Sequence, residues 1–98
     1  MFDGKYRASI NTPMGAINGS ITLVTNQDNS VQGMVEMMGM KNSFKGTKVQ
    51  ENMAKFTGNF NTPLGNMTYN ATCSVMNNTL ELMANTNKGN FKIQGVRV

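Results

Sequence analysis

Histidine and tryptophan are absent from this 98-residue chain, cysteine occurs once, proline twice, and charged residues make up only 14%. Each shortage excludes something. Without histidine the commonest general base is missing, along with the usual nucleophilic triads. A single cysteine builds neither a Cys/His zinc site nor an intramolecular disulfide. No stretch approaches the ~18 apolar residues that a membrane-spanning helix requires. The segment from Met1 to Ile10 has no apolar run behind a basic start, so no signal peptide is expected and a cytoplasmic location is the simplest expectation. The acids Asp3, Asp28, Glu36, Glu51 and Glu81 are scattered between turns and polar faces, and no pair is forced together for acid–base work. The glycines form no phosphate-cradling loop. No enzymatic activity, metal or cofactor is expected.

What the chain has in plenty is asparagine, threonine and alternation. Its length fits one domain, residues 1–98, with a modest core. The turn sequence Asn-Thr-Pro-Met-Gly at 11–15 returns as Asn-Thr-Pro-Leu-Gly at 61–65, an offset of fifty. Tyr6 then aligns with Phe56 and Ile10 with Phe60. After the next turn the offset falls to forty-nine, so Val31 matches Leu80, and Gly46 to Val49 match Gly95 to Val98. The expected organisation is therefore two internal repeats, about 5–49 and 55–98.

Within each repeat the hydrophobic period is two. Met67, Tyr69, Ala71, Cys73 and Val75 share one face while Asn66, Thr68, Asn70, Thr72 and Ser74 share the other. Ten residues of strict alternation define a half-buried strand, because a helix would scatter the same residues around its axis. The same pattern predicts strands at 5–12, 16–25, 30–38, 41–49, 79–86 and 90–98, with inward Tyr6, Ala8, Ile21, Leu23, Val31, Phe44, Leu80 and Phe91. Gly46 and Gly95 interrupt matching strands, which points to a bulge or a close approach in each half. All the connections are short, and short links require antiparallel neighbours.

Eight strands in an antiparallel up-and-down meander leave two unpaired edges, and closing the sheet into a barrel removes them. Small inward residues beside large ones suit the taper of such a barrel. The expected fold is all-β: an eight-stranded antiparallel up-and-down meander barrel built from two four-strand repeats, with a two-sheet β-sandwich as the alternative. Polar outward faces argue against an outer-membrane barrel.

The segments KYRASINTPMGAINGSITL, SFKGTKV, FTGNFNTPLGNMTYNATC and FKIQGVRV resemble a group of small bacterial β-repeat modules. That group shares strand–TPxG–strand hairpins and occurs alone or beside enzyme domains. The resemblance implies the repeat architecture and carries over no functional residue. More distantly, the eight-strand meander is similar to barrels of the avidin and lipocalin type. The absence of tryptophan means that biotin binding is not implied by that likeness.

Several constellations remain to be placed. The large inward side chains Tyr6, Phe44, Phe56, Phe60, Tyr69 and Phe91 are the candidate site for a small apolar ligand, because an eight-stranded barrel is either filled by side chains or left with room for one small molecule. Asn42 is a further inward candidate beside Phe44. Met34, Met38 and Met83 are expected to point outward and mark a candidate contact surface for a homodimer or an enzyme partner, or else are methionines without a role. Clustered thioethers can bind Cu(I), but strand geometry sends Met37 inward and splits this cluster. Cys73, between Ala71 and Val75 on the inward face, reads as a small buried filler. The net charge of +4 permits anionic partners. Closure would gather Lys45, Lys48 and Lys55 into one basic seam and Lys5, Arg7, Lys92 and Arg97 into another, yet inward aromatics leave nothing for nucleic acid to stack on.

Overall fold

The computed structural model describes residues 2–12, 15–37, 39–62, 65–87 and 89–98, and of Asn11, Thr12, Met40, Phe60, Asn61 and Thr62 only the backbone. Eight strands follow one another: β1 (Gly4–Thr12), β2 (Gly15–Thr25), β3 (Ser30–Met37), β4 (Met40–Gln50), β5 (Met53–Thr62), β6 (Gly65–Met76), β7 (Thr79–Thr86) and β8 (Gly89–Arg97). Each pairs antiparallel with its neighbour in sequence, and β8 returns to β1 to close a barrel in the order β1 to β8. The closing ladder runs from Tyr6 opposite Arg97 to Ile10 opposite Ile93. Every strand thus has two partners in a single ring, and the sandwich alternative falls away.

The connections explain the topology. Asn77 and Asn78 both adopt positive φ, 50° and 69°, and Met76 faces Thr79 across them. Two consecutive left-handed residues make the mirror-image turn whose twist matches that of a hairpin, and asparagine tolerates it better than other side chains. In the longer turn after β2, the Asp28 carboxylate accepts the Ser30 N–H (3.0 Å) and hydroxyl (2.6 Å). The Ser30 hydroxyl holds the Asp28 carboxyl below its usual range, with the backbone N–H adding to it. Gly15 and Gly65 take φ of 115° and 113° at matching places. Pro13, Met14, Pro63 and Leu64, the centres of the two TPxG turns, lie outside the described residues.

Pairing register corresponds within the two halves but not at the junctions between them, where Gly46 faces Phe56 whereas Gly95 faces Ala8. Tyr6 faces Ile21 and Phe56 faces Ala71, both fifty residues on. Val31 faces Gly46 and Leu80 faces Gly95, both forty-nine on. The two expected interruptions are close approaches. A Cβ on Gly46 would collide with the Lys55 carbonyl and the Phe56 ring, and one on Gly95 would lie 3.0 Å from the Arg7 carbonyl oxygen. A register shift also occurs in β4 between Lys48 and Gln50.

The molecule is 36 Å long and 24 by 21 Å across, so one layer of inward side chains meets the layer opposite. Tyr6, Leu23, Val31, Ala54, Phe56, Cys73 and Leu80 are essentially without solvent exposure. Burial of a large side chain of this kind is worth about 1.5–3 kcal/mol. Phe44 and Phe56 meet edge to face at 4.7 Å and 85°. Glycine makes the room: Gly33 sits opposite Phe44, and an added Cβ would run into that ring.

Candidate functional site

The two ends of the barrel are built differently. At the end where β1 begins, Phe2 folds into the lumen and is 2% exposed. The Tyr6 hydroxyl donates to the Phe2 carbonyl at 2.6 Å. The Arg97 guanidinium lies 4.8 Å from the centre of the Tyr6 ring. It donates to the Tyr6 hydroxyl at 2.8 Å and also to the Asp3 carbonyl. The Asp3 carboxylate in turn accepts the Thr25 N–H (2.8 Å) and hydroxyl. Lys48 reaches over the Phe2 ring at 5.5 Å. Burial pushes the Tyr6 hydroxyl pKa up against the opposing pull of Arg97. Together these contacts close that end with one plug and one charged clasp.

At the other end the inward parity continues, and among the described residues no comparable closure is made. Ile10 faces both Ile17 and Ile93, and Ala84 faces Phe91. Ile10, Ile17, Met37, Met67, Tyr69, Ala84 and Ile93 are only partly buried. Phe91, on the lumen face, is 36% exposed against 1% for Phe56 lower in the barrel. Val35, Met37, Phe44, Tyr69, Ala84 and Ile93 pack onto the buried core from this side. The floor of the open half is therefore made of aromatic, thioether and aliphatic groups. Tyr69 crosses towards Gly58, where an added Cβ would stand 2.9 Å from its hydroxyl oxygen. Burial raises the Tyr69 hydroxyl pKa, so it stays protonated near neutrality.

The residues named from sequence divide along this axis. Tyr6 and Phe56 belong to the packed half, Phe44 bridges the halves, and Tyr69 and Phe91 reach the open half; the Phe60 side chain lies outside the described ones. Asn42 faces Val35 across the β3–β4 ladder and is exposed. Met34 and Met83 stand on the outer wall, 46% and 47% exposed, and Met38 lies outside the described residues. Cys73 is fully buried and its thiol is pushed up to about 12 by desolvation, which makes it a poor nucleophile.

The basic seams need correction. Arg97 turns inward onto Tyr6, and Lys48 leans over Phe2, so neither joins an exposed face. Lys92 pairs loosely with Glu81 at 3.7 Å. The sequence alone does not mark Phe2, Asp3 and Arg97 as a closing device. Parity was the available signal: Phe2 continues the even-numbered inward set of β1, and Arg97 the odd-numbered inward set of β8.

Among the described residues no group of three or more His, Cys, Asp or Glu could hold a metal, and no helix is long and apolar enough to cross a membrane. A groove of about 600 Å³ lies on the wall near Arg7, Ser9, Asn18 and Gln94. It follows the β1–β8 seam.

The fold defines a class: closed, eight-stranded, antiparallel up-and-down barrels. Solved structures of that shape are similar to the chain. A redesigned β-barrel, mFAP1, bound to DFHBI, has a TM-score of 0.72 at 11% identity, covering 99% of this chain and 94% of that one. A second redesigned β-barrel has a TM-score of 0.69 at 14% identity over 99% and 91%. A de novo designed fluorescence-activating β-barrel has a TM-score of 0.62 at 12% identity over 99% and 94%. At such identities the likeness is one of fold. No protein-family model and no curated protein matches the chain.

Proposed function

We propose that the protein is a non-catalytic binder that takes a small, largely apolar ligand into the open half of its lumen. One observation carries this: the apolar lumen-facing side chains are nearly free of solvent towards the sealed end, as at Tyr6, Val31 and Leu80, and more exposed towards the other, up to Phe91 at 36%. A barrel filled from end to end has no reason to leave an inward aromatic ring so wet, since burying it would be worth about 1–2 kcal/mol. The proposed contacts are Phe44, Tyr69 and Phe91 from the sequence candidates, joined by Ile17, Met37 and Met67. Tyr6 and Phe56 serve as the floor beneath them. A similarly shaped barrel has been solved with a bound small molecule, DFHBI, which supports this architecture as one that can hold a small molecule.

The absence of histidine and the scatter of the acids support binding over catalysis. The test is a screen of neutral fragments by NMR. Binding in the open half shifts the resonances of Ile17, Tyr69, Ala84 and Phe91 and leaves those of Val31 and Leu80 in place. Shifts confined to the outer wall, at Arg7 and Gln94 or at Met34 and Met83, would refute lumen binding. In the latter case the outward methionines would instead mark a contact with a second copy or a partner protein.

A further inference from the structure

The charges of the barrel are distributed unevenly with respect to the lumen. Among the described residues two charged side chains occupy strand positions of inward parity, Lys48 on β4 and Arg97 on β8. Both are at the sealed end, held against Phe2 and Tyr6. Asp3 is there too, hydrogen-bonded to Thr25. Asp28 and Glu51 lie in turns at that same end. The remaining described charges on the strands, from Lys5 and Arg7 on β1 to Glu81 and Lys92 on β7 and β8, are exposed at outward positions. Among the described residues, the lumen wall of the open half therefore carries no formal charge. Among the described residues its polar side chains are the Tyr69 hydroxyl, the exposed Asn42 amide at an inward position of β4, and the Thr86 hydroxyl that already donates to the Gly89 carbonyl.

From this wall we infer the chemical class of the ligand: an uncharged, flat aromatic molecule with one hydrogen-bonding group directed at the Tyr69 hydroxyl. This rests on the lumen-binding reading above. An ionised carboxylate or ammonium group drawn into the open half would lose its water and meet no counter-charge, which strongly disfavours burial. A flat aromatic body suits what lines the space. Phe44, Tyr69 and Phe91 offer ring faces and edges, and the Met37 and Met67 thioethers make favourable contacts with aromatic rings. A tyrosine hydroxyl has one donor and two acceptor sites, so Tyr69 can serve a ligand while keeping a bond to the protein.

The experiment uses the intact protein and four probes of matched shape: naphthalene, naphthol, naphthoate and naphthylmethylammonium. The chain lacks tryptophan, so naphthyl fluorescence can be followed without indole emission. Naphthol is expected to bind at least about tenfold more tightly than either ion. Tyr69→Phe is expected to weaken naphthol by about three- to tenfold and leave naphthalene within about twofold. Either ion binding as tightly as naphthol overturns the inferred ligand class while leaving the lumen-binding proposal intact. Equal losses for naphthol and naphthalene in Tyr69→Phe overturn the directing role of the hydroxyl. If none of the four binds, naphthalene included, the lumen-binding proposal itself is overturned. Tyr69→Leu is a second variant should Tyr69→Phe be unstable, read in the same way.

Discussion

Tyr6 and Phe91 both face the lumen, yet one has lost all contact with water and the other keeps more than a third of it. Tyr6 is covered by Phe2, stacked under Arg97 and hydrogen-bonded at its hydroxyl. Phe91 faces Ala84 on β7, and among the described residues nothing comparable covers it. The same inward position thus contributes to stability at one end and to available surface at the other. Inward parity decides which side of the wall a residue takes, and closure decides whether water follows it in.

The sharpest way to break this comparison is to truncate both rings. Tyr6→Ala should cost about 3–5 kcal/mol, measured by urea unfolding, because the plug and clasp around it would be left over a void. Phe91→Ala should cost about 1 kcal/mol and reveal itself in ligand affinity. Equal stability losses would mean that the two ends are packed alike.

Alkaline pH should also act through the sealed half. The Cys73 thiol is pushed from its ordinary 9.0 to about 12 by burial. Its protonated form is the one that the fold accommodates. The stabilisation is complete below pH 9 and is lost as pH rises towards 12, since above 9 the unfolded chain sheds the proton first. The expected slope is roughly 1.4 kcal/mol per pH unit in that window. Cys73→Ala should flatten it relative to the parent in pH-dependent unfolding. An alkylating reagent should leave Cys73 unlabelled in the folded protein.

Smaller effects grade the clasp against the surface. Arg97→Ala removes a ring contact and the hydrogen bonds donated to Asp3, Tyr6 and Asn78, and should cost about 2 kcal/mol by thermal or urea unfolding. Glu81→Gln breaks an ion pair whose partners are both about half exposed, and should change stability by no more than about 0.5 kcal/mol, less still in high salt. A surface pair that outweighed Arg97 would overturn the assignment of stability to the sealed end.

Much of the architecture is legible in the chain itself. The alternation from Met67 to Val75 marks a strand with one apolar face, and the offset between Tyr6 and Phe56 is matched by the β1–β2 and β5–β6 pairings while the β4–β5 and β8–β1 pairings depart from it. Positive φ at Asn77 and Asn78 is what a two-residue link between strands demands. The site is less legible, for a physical reason. Period two reports direction and says nothing about depth, so Phe56 and Phe91 look alike until β8 meets β1 and Phe2 enters the lumen. Arg97 and Lys48 escape notice because residue type suggests solvent, whereas strand parity turns both inward, where long aliphatic stems can cover apolar surface. Placing them requires trusting parity over polarity.

The link between Tyr6 and Arg97 spans 91 positions of the chain. During synthesis at about 5–20 residues per second, the first strand waits roughly 5–18 s for the last one. Throughout that interval its hydrogen-bonding edge is bare, and the nascent chain is most open to mispairing with other chains. The seam that makes the finished cylinder edgeless is therefore the step at which its assembly is most exposed to error.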